Sequence, residues 1–310
     1  MQALITIVIP VFNRAQIVGR TLDSIERQTL RPLDVVLVDN NSTDGSLGVL
    51  ENWRDRVSGD GLRVKVLGET APGACAARNA GLAAVETPWV LFFDSDDTMT
   101  PDHCRMAAEA AVSDPAADVV GWGVVMHELS GGRSIRHFYA KDAAFHNIFH
   151  GSMATQRYMC RTDLVRKCGA WSDGIAGWND VELGMRILAM AGKIINAGRC
   201  DTVDVWCGEE SITGKNFNSG ASRFETSLDR MQSYATPSLA RAINLKRMIL
   251  AGDCCAEGAA ETAGRLRRRA LADEPSAFYR MLLRTVYAYV RRGGRGVARL
   301  LRPFYGITLR

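Results

Sequence analysis

No run of about 18 apolar residues occurs anywhere in the sequence, so no spanning helix is expected and any membrane contact would be peripheral. The opening residues Met1–Pro10 lack a basic leader, a long apolar stretch and a small-residue cleavage site, and they read as a first strand rather than a secretory signal. No Gly-x-Gly-x-x-Gly follows that strand, which argues against a dinucleotide dehydrogenase. Pro10-Val-Phe-Asn-Arg14 is not a glycine-rich triphosphate loop either, which argues against a nucleotidyltransferase. The eight cysteines include no Cys-x-x-Cys pair, and the vicinal Cys254-Cys255 would be strained as a disulfide. Reduced thiols in a cytoplasmic protein are expected, most of them acting as small buried hydrophobes. The five histidines receive no catalytic role.

With 47% hydrophobic and 23% charged residues, the 310-residue chain has enough apolar material for a full core. Its formal charge of +4 conceals a segregation. From Arg265 to Arg310 there are twelve arginines, with only Asp273 and Glu274 as acids.

Short β-rich apolar runs alternate with amphipathic stretches over the first hundred residues. Leu4–Pro10 is followed by Gln16–Arg27, with Val18, Leu22 and Ile25 on one face, and then by Val35–Asp39. The pattern continues through Leu47–Val57, Leu62–Leu67, a helix over Ala74–Val85 and the run Trp89–Asp94. This is a β-α-β series, and strands so apolar on both faces belong inside a sheet covered by helices. One strand is expected over Val119–Met126 and a helix over Val181–Ala191. Helical periodicity then dominates through Pro237–Leu250, Glu257–Leu271 and Pro275–Arg291. The expected organisation is an α/β domain over 1–215, in two halves (1–100 and 101–215). A helical, basic region covers 216–310.

Ligands of open parallel sheets bind beyond the carboxyl ends of the strands, where loops and helix amino termini converge. Three polar clusters fall there: Pro10-Val11-Phe12-Asn13, Asp39-Asn-Asn-Ser-Thr-Asp44 and Asp94-Ser95-Asp96-Asp97. The alternating carboxylates of Asp94 and Asp96 offer few oxygen ligands and open positions, which suits Mg²⁺ or Mn²⁺ bridging a diphosphate. The plain alternative is a solvated acidic turn. Asp39 is suited to hydrogen bonding with a uracil or ribose, or to forming a turn. Arg78, early on its helix, is suited to a base or phosphate.

In order and spacing, Ile-Pro-Val-Phe-Asn (9–13), Val-Asp-Asn-Asn-Ser-Thr-Asp-Gly (38–45), Ala-Arg-Asn-Ala-Gly (77–81) and Phe-Asp-Ser-Asp-Asp (93–97) resemble family 2 glycosyltransferases of the GT-A fold. The resemblance covers roughly residues 4–215 and implies that 1–100 is the nucleotide-binding half and 101–215 the acceptor half. It implies inverting transfer of a sugar from a nucleotide diphosphate, a UDP-sugar being expected, to an acceptor hydroxyl. Asp39 and Arg78 would lie near the base, Asp94 near the ribose and Asp96 on the metal, with Asp97 left without an assigned role.

Inversion needs a base for the acceptor proton. Asp180, in Trp178-Asn-Asp-Val-Glu-Leu-Gly-Met-Arg186, looks like the family's Glu-Asp segment, with Asn179 standing where Glu is usual. Asp173 and Glu182 are weaker candidates. The competing reading makes Asn179 or Asp180 a helix cap above a Glu182–Arg186 pair. A second departure is Gly208 three residues before Ser211, where the family often carries a metal-binding His. Cys207 is a soft neighbour, whereas Glu209 or Glu210 would supply oxygen. Trp171 and Trp178, among Gly169, Gly174 and Gly177, are candidates for an acceptor platform or for packing.

The basic stretch 275–310 suits either an anionic membrane surface or a helical cap on the domain. No nucleic-acid motif accompanies it. The expected partners are a nucleotide sugar and a glycan or lipid-linked acceptor. The alternative is a nucleotide-sugar-binding subunit that has lost turnover.

Overall fold

The computed structural model describes residues 2–59, 61–208 and 217–309. Its strands are β1 (Ile5–Val11), β2 (Leu33–Asp39), β3 (Leu62–Gly68), β4 (Trp89–Phe92), β5 (Thr98–Met99), β6 (Val119–Gly121), β7 (Val124–His127), β8 (Arg133–Arg136), β9 (Tyr158–Arg161), β10 (Ile194–Asn196) and β11 (Val203–Trp206). Its helices are α1 (Val18–Glu26), α2 (Ser46–Val57), α3 (Ala74–Ala83), α4 (His103–Ser113), α5 (Ala143–His150), α6 (Thr162–Lys167), α7 (Asn179–Met190), α8 (Phe217–Gln232), α9 (Pro237–Ala256), α10 (Ala260–Ala272), α11 (Ala277–Val290) and α12 (Val297–Leu301). The described residues form two compact units, one within 1–140, 152–174 and 190–209, the other within 141–151, 175–189 and 210–310.

The first unit is the α/β one. Its main sheet has the order β10-β6-β9-β4-β1-β2-β3. β1 is its parallel hub, with Ile7 opposite Val35 of β2 and Leu91 of β4. Ile5, Ile7, Val8 and Ile9 are at most 1% exposed, as a strand covered on both faces requires. Val18, Leu22 and Ile25 of α1 are buried together, matching their expected common face. α3 lies close on β1 because Gly81 carries no side chain: a Cβ there would meet Val8 Cγ1 at 2.3 Å.

The expected single strand over Val119–Met126 is two strands in two sheets. β6 joins the main sheet, while β7 joins a second sheet of order β5-β11-β7-β8. The break falls at Trp122-Gly123. The Trp122 indole donates to the Gln156 carbonyl at 2.9 Å, and a Cβ on Gly123 would meet Cys200 Cβ at 2.4 Å. Backbone approach at the glycine and burial of the indole end one strand and redirect the next. β9, antiparallel to both β4 and β6, was not anticipated either.

The second unit is helical. α9 begins with Pro237 in its first turn and a Thr236 hydroxyl accepting from the Leu239 N–H at 3.3 Å. Arg247, fully buried on α9, pairs with Asp229 at 2.9 Å and Asp273 at 3.4 Å. The Asn147 amide of α5 donates to the Val181 carbonyl of α7 at 2.9 Å. Packing thus groups 141–151 and 175–189 with the residues after 215, whereas the sequence reading put them in the α/β half. Among the described residues no helix is long and apolar enough to cross a membrane.

Candidate nucleotide-sugar site

The carboxyl ends of β1, β2 and β4 are neighbours in the main sheet, so the three polar clusters leave one rim of the first unit. Hydrogen bonds lock the first two together. Asn13, with φ of 50°, accepts from the Thr43 N–H at 2.8 Å, and its own N–H donates to the Ser42 hydroxyl at 3.0 Å. The neighbouring Phe12 ring is exposed. Asn40 is a staple: its amide donates to the Glu69 and Ala71 carbonyls and its oxygen accepts from the Gly73 N–H at 2.7 Å. The loop ahead of α3 is thereby fixed to the end of β2.

Asp39 is only 7% exposed. Its Oδ2 accepts from the Ser42 N–H at 3.2 Å, while Oδ1 is buried with no protein partner. Arg78 is similar. Its Nη2 donates to Asp94 Oδ1 at 2.8 Å and its guanidinium lies 4.4 Å from the Trp171 ring centroid, yet Nε and Nη1 are buried without a partner. Unpaired buried polar atoms cost stability, and a bound ligand is a common reason to keep them.

Asp94, Ser95, Asp96 and Asp97 form the turn after β4. Asp97 is buried, its Oδ2 accepting from the Gln156 amide at 2.6 Å and its Oδ1 from the Trp206 N–H at 2.9 Å. Burial pushes its carboxyl well above the usual range, and the charges of Asp94 and Asp96 add to this. It is therefore a staple between the turn and β11. Asp96 is half-buried and raised by burial first and by Asp94 second. From α1, Arg20 donates to the Asp96 carbonyl and the Thr21 hydroxyl to the Asp97 carbonyl at 2.7 Å.

Asp94 and Asp96 are the carboxylates of this turn that could face a hard cation, which would offset the burial and the neighbouring charge that raise Asp96. The protein alone does not enclose one: among the described residues no group of three His, Cys, Asp or Glu could hold a metal. Cys207 is pushed up by burial and so remains a thiol. Glu209, Glu210 and Ser211 lie outside the described residues.

Trp171 is 2% exposed, with the edge of Phe92 at 5.1 Å between centroids and the Arg78 guanidinium against its ring. Burial leaves it little face for a sugar, so of the two readings, platform or packing, the packing one suits Trp171. It holds Arg78, and Asn79 fixes it through reciprocal bonds of 2.9 Å to its N–H and carbonyl. Gln156, Arg20 and Trp206 were missed by sequence reasoning, because no local pattern marks partners so distant in the chain.

In the helical unit, Asp180 sits in the first turn of α7, where Oδ1 accepts from the Val181 N–H at 2.8 Å. The Glu182–Arg186 pair exists, at 2.6 and 2.8 Å, with Glu182 fully buried. Glu182 is thus committed to that fork, and Asp173 is exposed. Trp178, with φ of 53°, stacks on Phe224 at 4.4 Å, and Lys246 of α9 places its ammonium 4.3 Å from the Trp178 ring centroid. Burial lowers Lys246 to about 8, against the opposing charges of Asp253 and Asp180.

The family model for glycosyl transferase family 2 matches residues 6–161, half of the chain. The chain belongs to this family. Its α/β unit is a GT-A core, followed by a largely helical carboxyl-terminal region. Among curated relatives, the uncharacterized glycosyltransferase EpsJ of Bacillus subtilis is 28% identical over 123 residues, 40% of this chain and 34% of that protein. The validoxylamine A glucosyltransferase of Streptomyces hygroscopicus subsp. jinggangensis is 32% identical over 121 residues, 38% of this chain and 28% of that protein. The chain therefore spans only about a third of the length of these relatives. Among solved structures, S. aureus TarS 1–349 in complex with UDP-GlcNAc shares the fold, with a TM-score of 0.63 and 17% identity over 94% of this chain and 93% of that one. The mannosyltransferase PcManGT from Pyrobaculum calidifontis, in complex with GDP-Man and Mn²⁺, has a TM-score of 0.52 and 17% identity over 97% of this chain and 79% of that one.

Proposed function

We propose that this family 2 chain is an inverting glycosyltransferase that moves a sugar from a nucleotide diphosphate, UDP being the expected carrier, to an acceptor hydroxyl. The observation that carries the reading is the set of unpartnered buried atoms at the rim, Asp39 Oδ1 with Arg78 Nε and Nη1, beside the Asp94-Ser95-Asp96 turn. A nucleoside diphosphate supplies what they lack: N–H and hydroxyl donors for the carboxylate, and base or phosphate oxygens for the guanidinium. The nucleotide sugars bound in the two structural relatives favour the same class of donor.

In this reading Pro10, Phe12, Asn13, Asp39, Arg78, Asp94 and Ser95 line the donor, Val11, fully buried, supports the loop from beneath, and Asp96 holds Mn²⁺ or Mg²⁺. The ion, when bound, neutralises charge on the diphosphate. Asp180 takes the proton as the acceptor oxygen attacks the anomeric carbon from the face opposite the diphosphate, whose bond to the sugar breaks. Trp178 remains the proposed acceptor-side aromatic. The acceptor is a glycan or lipid-linked molecule of cell-surface polysaccharide or glycolipid synthesis. The eight free cysteines favour the cytoplasm, with peripheral membrane contact through 275–310.

The second reading, a binding subunit without turnover, is favoured by Asn179, whose amide turns back to the Ile175 carbonyl at 3.3 Å, and by Gly208 at the position of the family's His. Incubation with a panel of nucleotide sugars, following nucleotide release by chromatography, separates the two. Release of one nucleoside diphosphate with Mn²⁺ supports the transferase. Tight binding of a donor with no release under any condition supports the binding subunit.

A further inference from the structure

Helix α11 has two faces of different character. Leu283, Val286 and Val290 are buried, and the absence of a side chain on Gly252 lets α9 come close, since a Cβ there would meet Val290 Cβ at 2.6 Å. That stripe is the helical cap. The opposite face is unlike a solvated one: Phe278 and Met281 are 48% and 55% exposed, and in the segment after α11 Leu300 and Phe304 are 71% and 48% exposed. The Phe278 and Phe304 rings are 6.2 Å apart, and the Tyr279 hydroxyl donates to the Phe304 carbonyl at 3.0 Å, so residues 302–305 are held beside the first turn of α11.

From Pro275 to Arg310 there are eight arginines and no acid. Several are engaged: Arg302 pairs with Asp142, and Arg280 donates to the Glu274 and Pro275 carbonyls. Arg284, Arg292 and Arg299 are exposed, and among the described residues no carboxylate forms an ion pair with them. Exposed aromatic and aliphatic side chains interleaved with unpaired arginines match a boundary where phosphate and acyl chain meet.

We propose that this face binds an anionic phospholipid surface, with Arg284, Arg292 and Arg299 on the phosphates and Phe278, Met281, Leu300 and Phe304 entering the headgroup layer. The inference rests on the peripheral contact suggested for 275–310 and not on the nucleotide site. A soluble anionic polymer would satisfy the arginines but would give no reason to expose the apolar residues.

The test is sedimentation of the full chain with vesicles of phosphatidylcholine alone or mixed with phosphatidylglycerol, at low and high salt. Binding is expected only to the mixed vesicles, weakening with salt. The triple variant Arg284→Gln/Arg292→Gln/Arg299→Gln should lose about 10²-fold in partition, near five-fold per arginine. The variant Phe278→Ser/Leu300→Ser should bind more weakly with the same salt dependence. Circular dichroism and UDP titration of each variant verify folding and the nucleotide site separately, so membrane binding can fail while the transferase reading stands. Absence of binding to anionic vesicles, or undiminished binding of the arginine variant, overturns the proposal. Undiminished binding of the serine variant also overturns it, in favour of a purely charged partner.

Discussion

Arg78 Nη2 donates to Asp94 Oδ1 at 2.8 Å, joining the first turns of α3 to the turn after β4. The pair is more than an ion bridge, because Trp171 backs the guanidinium while Nε and Nη1 stay unpartnered. Asp94 orients the group and the remaining donors are free for a ligand.

Arg78→Ala is therefore expected to weaken nucleoside diphosphate binding by about 10–10²-fold, the worth of one or two charge-assisted hydrogen bonds. Arg78→Lys should recover little, since a point charge cannot reproduce the fork. Titration calorimetry measures both, and wild-type affinity in the alanine variant removes Arg78 from the site.

Asp180→Asn should cut turnover by about 10²–10⁴-fold while leaving donor affinity unchanged, as loss of a general base does. Glu182→Gln should act through folding instead, because it leaves Arg186 without its buried partner. About 3 kcal/mol of stability is at stake there, readable in a denaturant melt. Full turnover in Asp180→Asn would move the base elsewhere.

What the sequence made legible is what is local. The apolar runs became strands because alternation and turn residues act over a few positions, and the clusters after β1, β2 and β4 share a rim because parallel strands point the same way. Gln156 and Trp206 hold Asp97 from 59 and 109 residues away, and no period or spacing announces such partners. The split at Trp122-Gly123 was not read either: Gly121 and Gly123 interrupt the β-prone run Val119–Met126, but only the approach of Cys200 shows why the strand ends there. Trp171 was left between platform and packing because indole suits a sugar face and a guanidinium equally well.

Gly81→Ala tests the packing that sets Arg78 above the sheet. Its Cβ would meet Val8 Cγ1 at 2.3 Å, so α3 must shift away from β1. A loss of about 1–3 kcal/mol is expected in a thermal melt, accompanied by weaker nucleotide binding. An unchanged melting temperature would mean that the interface yields freely.

His103 gives the fold an acid limit. Fully buried, with Nδ1 at 2.9 Å from the Thr202 hydroxyl, it is lowered from 6.5 to about 3 by burial. The unfolded chain takes up a proton near 6.5 and the folded chain does not, so stability is lost as pH falls from about 6.5 toward 3. His103→Asn should be less stable at pH 7, having lost the ring against Trp122, but should show a shallower fall on acidification. Parallel curves of melting temperature against pH for the two proteins would contradict this.

The most direct measurement is calorimetric titration with UDP, GDP, CDP and dTDP, each with and without Mn²⁺, on the wild type and on Asp96→Ala. The account predicts that one diphosphate, UDP, binds best, that Mn²⁺ strengthens it, and that Asp96→Ala abolishes the metal-dependent part. Absence of binding to all four, or a gain from Mn²⁺ in Asp96→Ala as large as in the wild type, would contradict it.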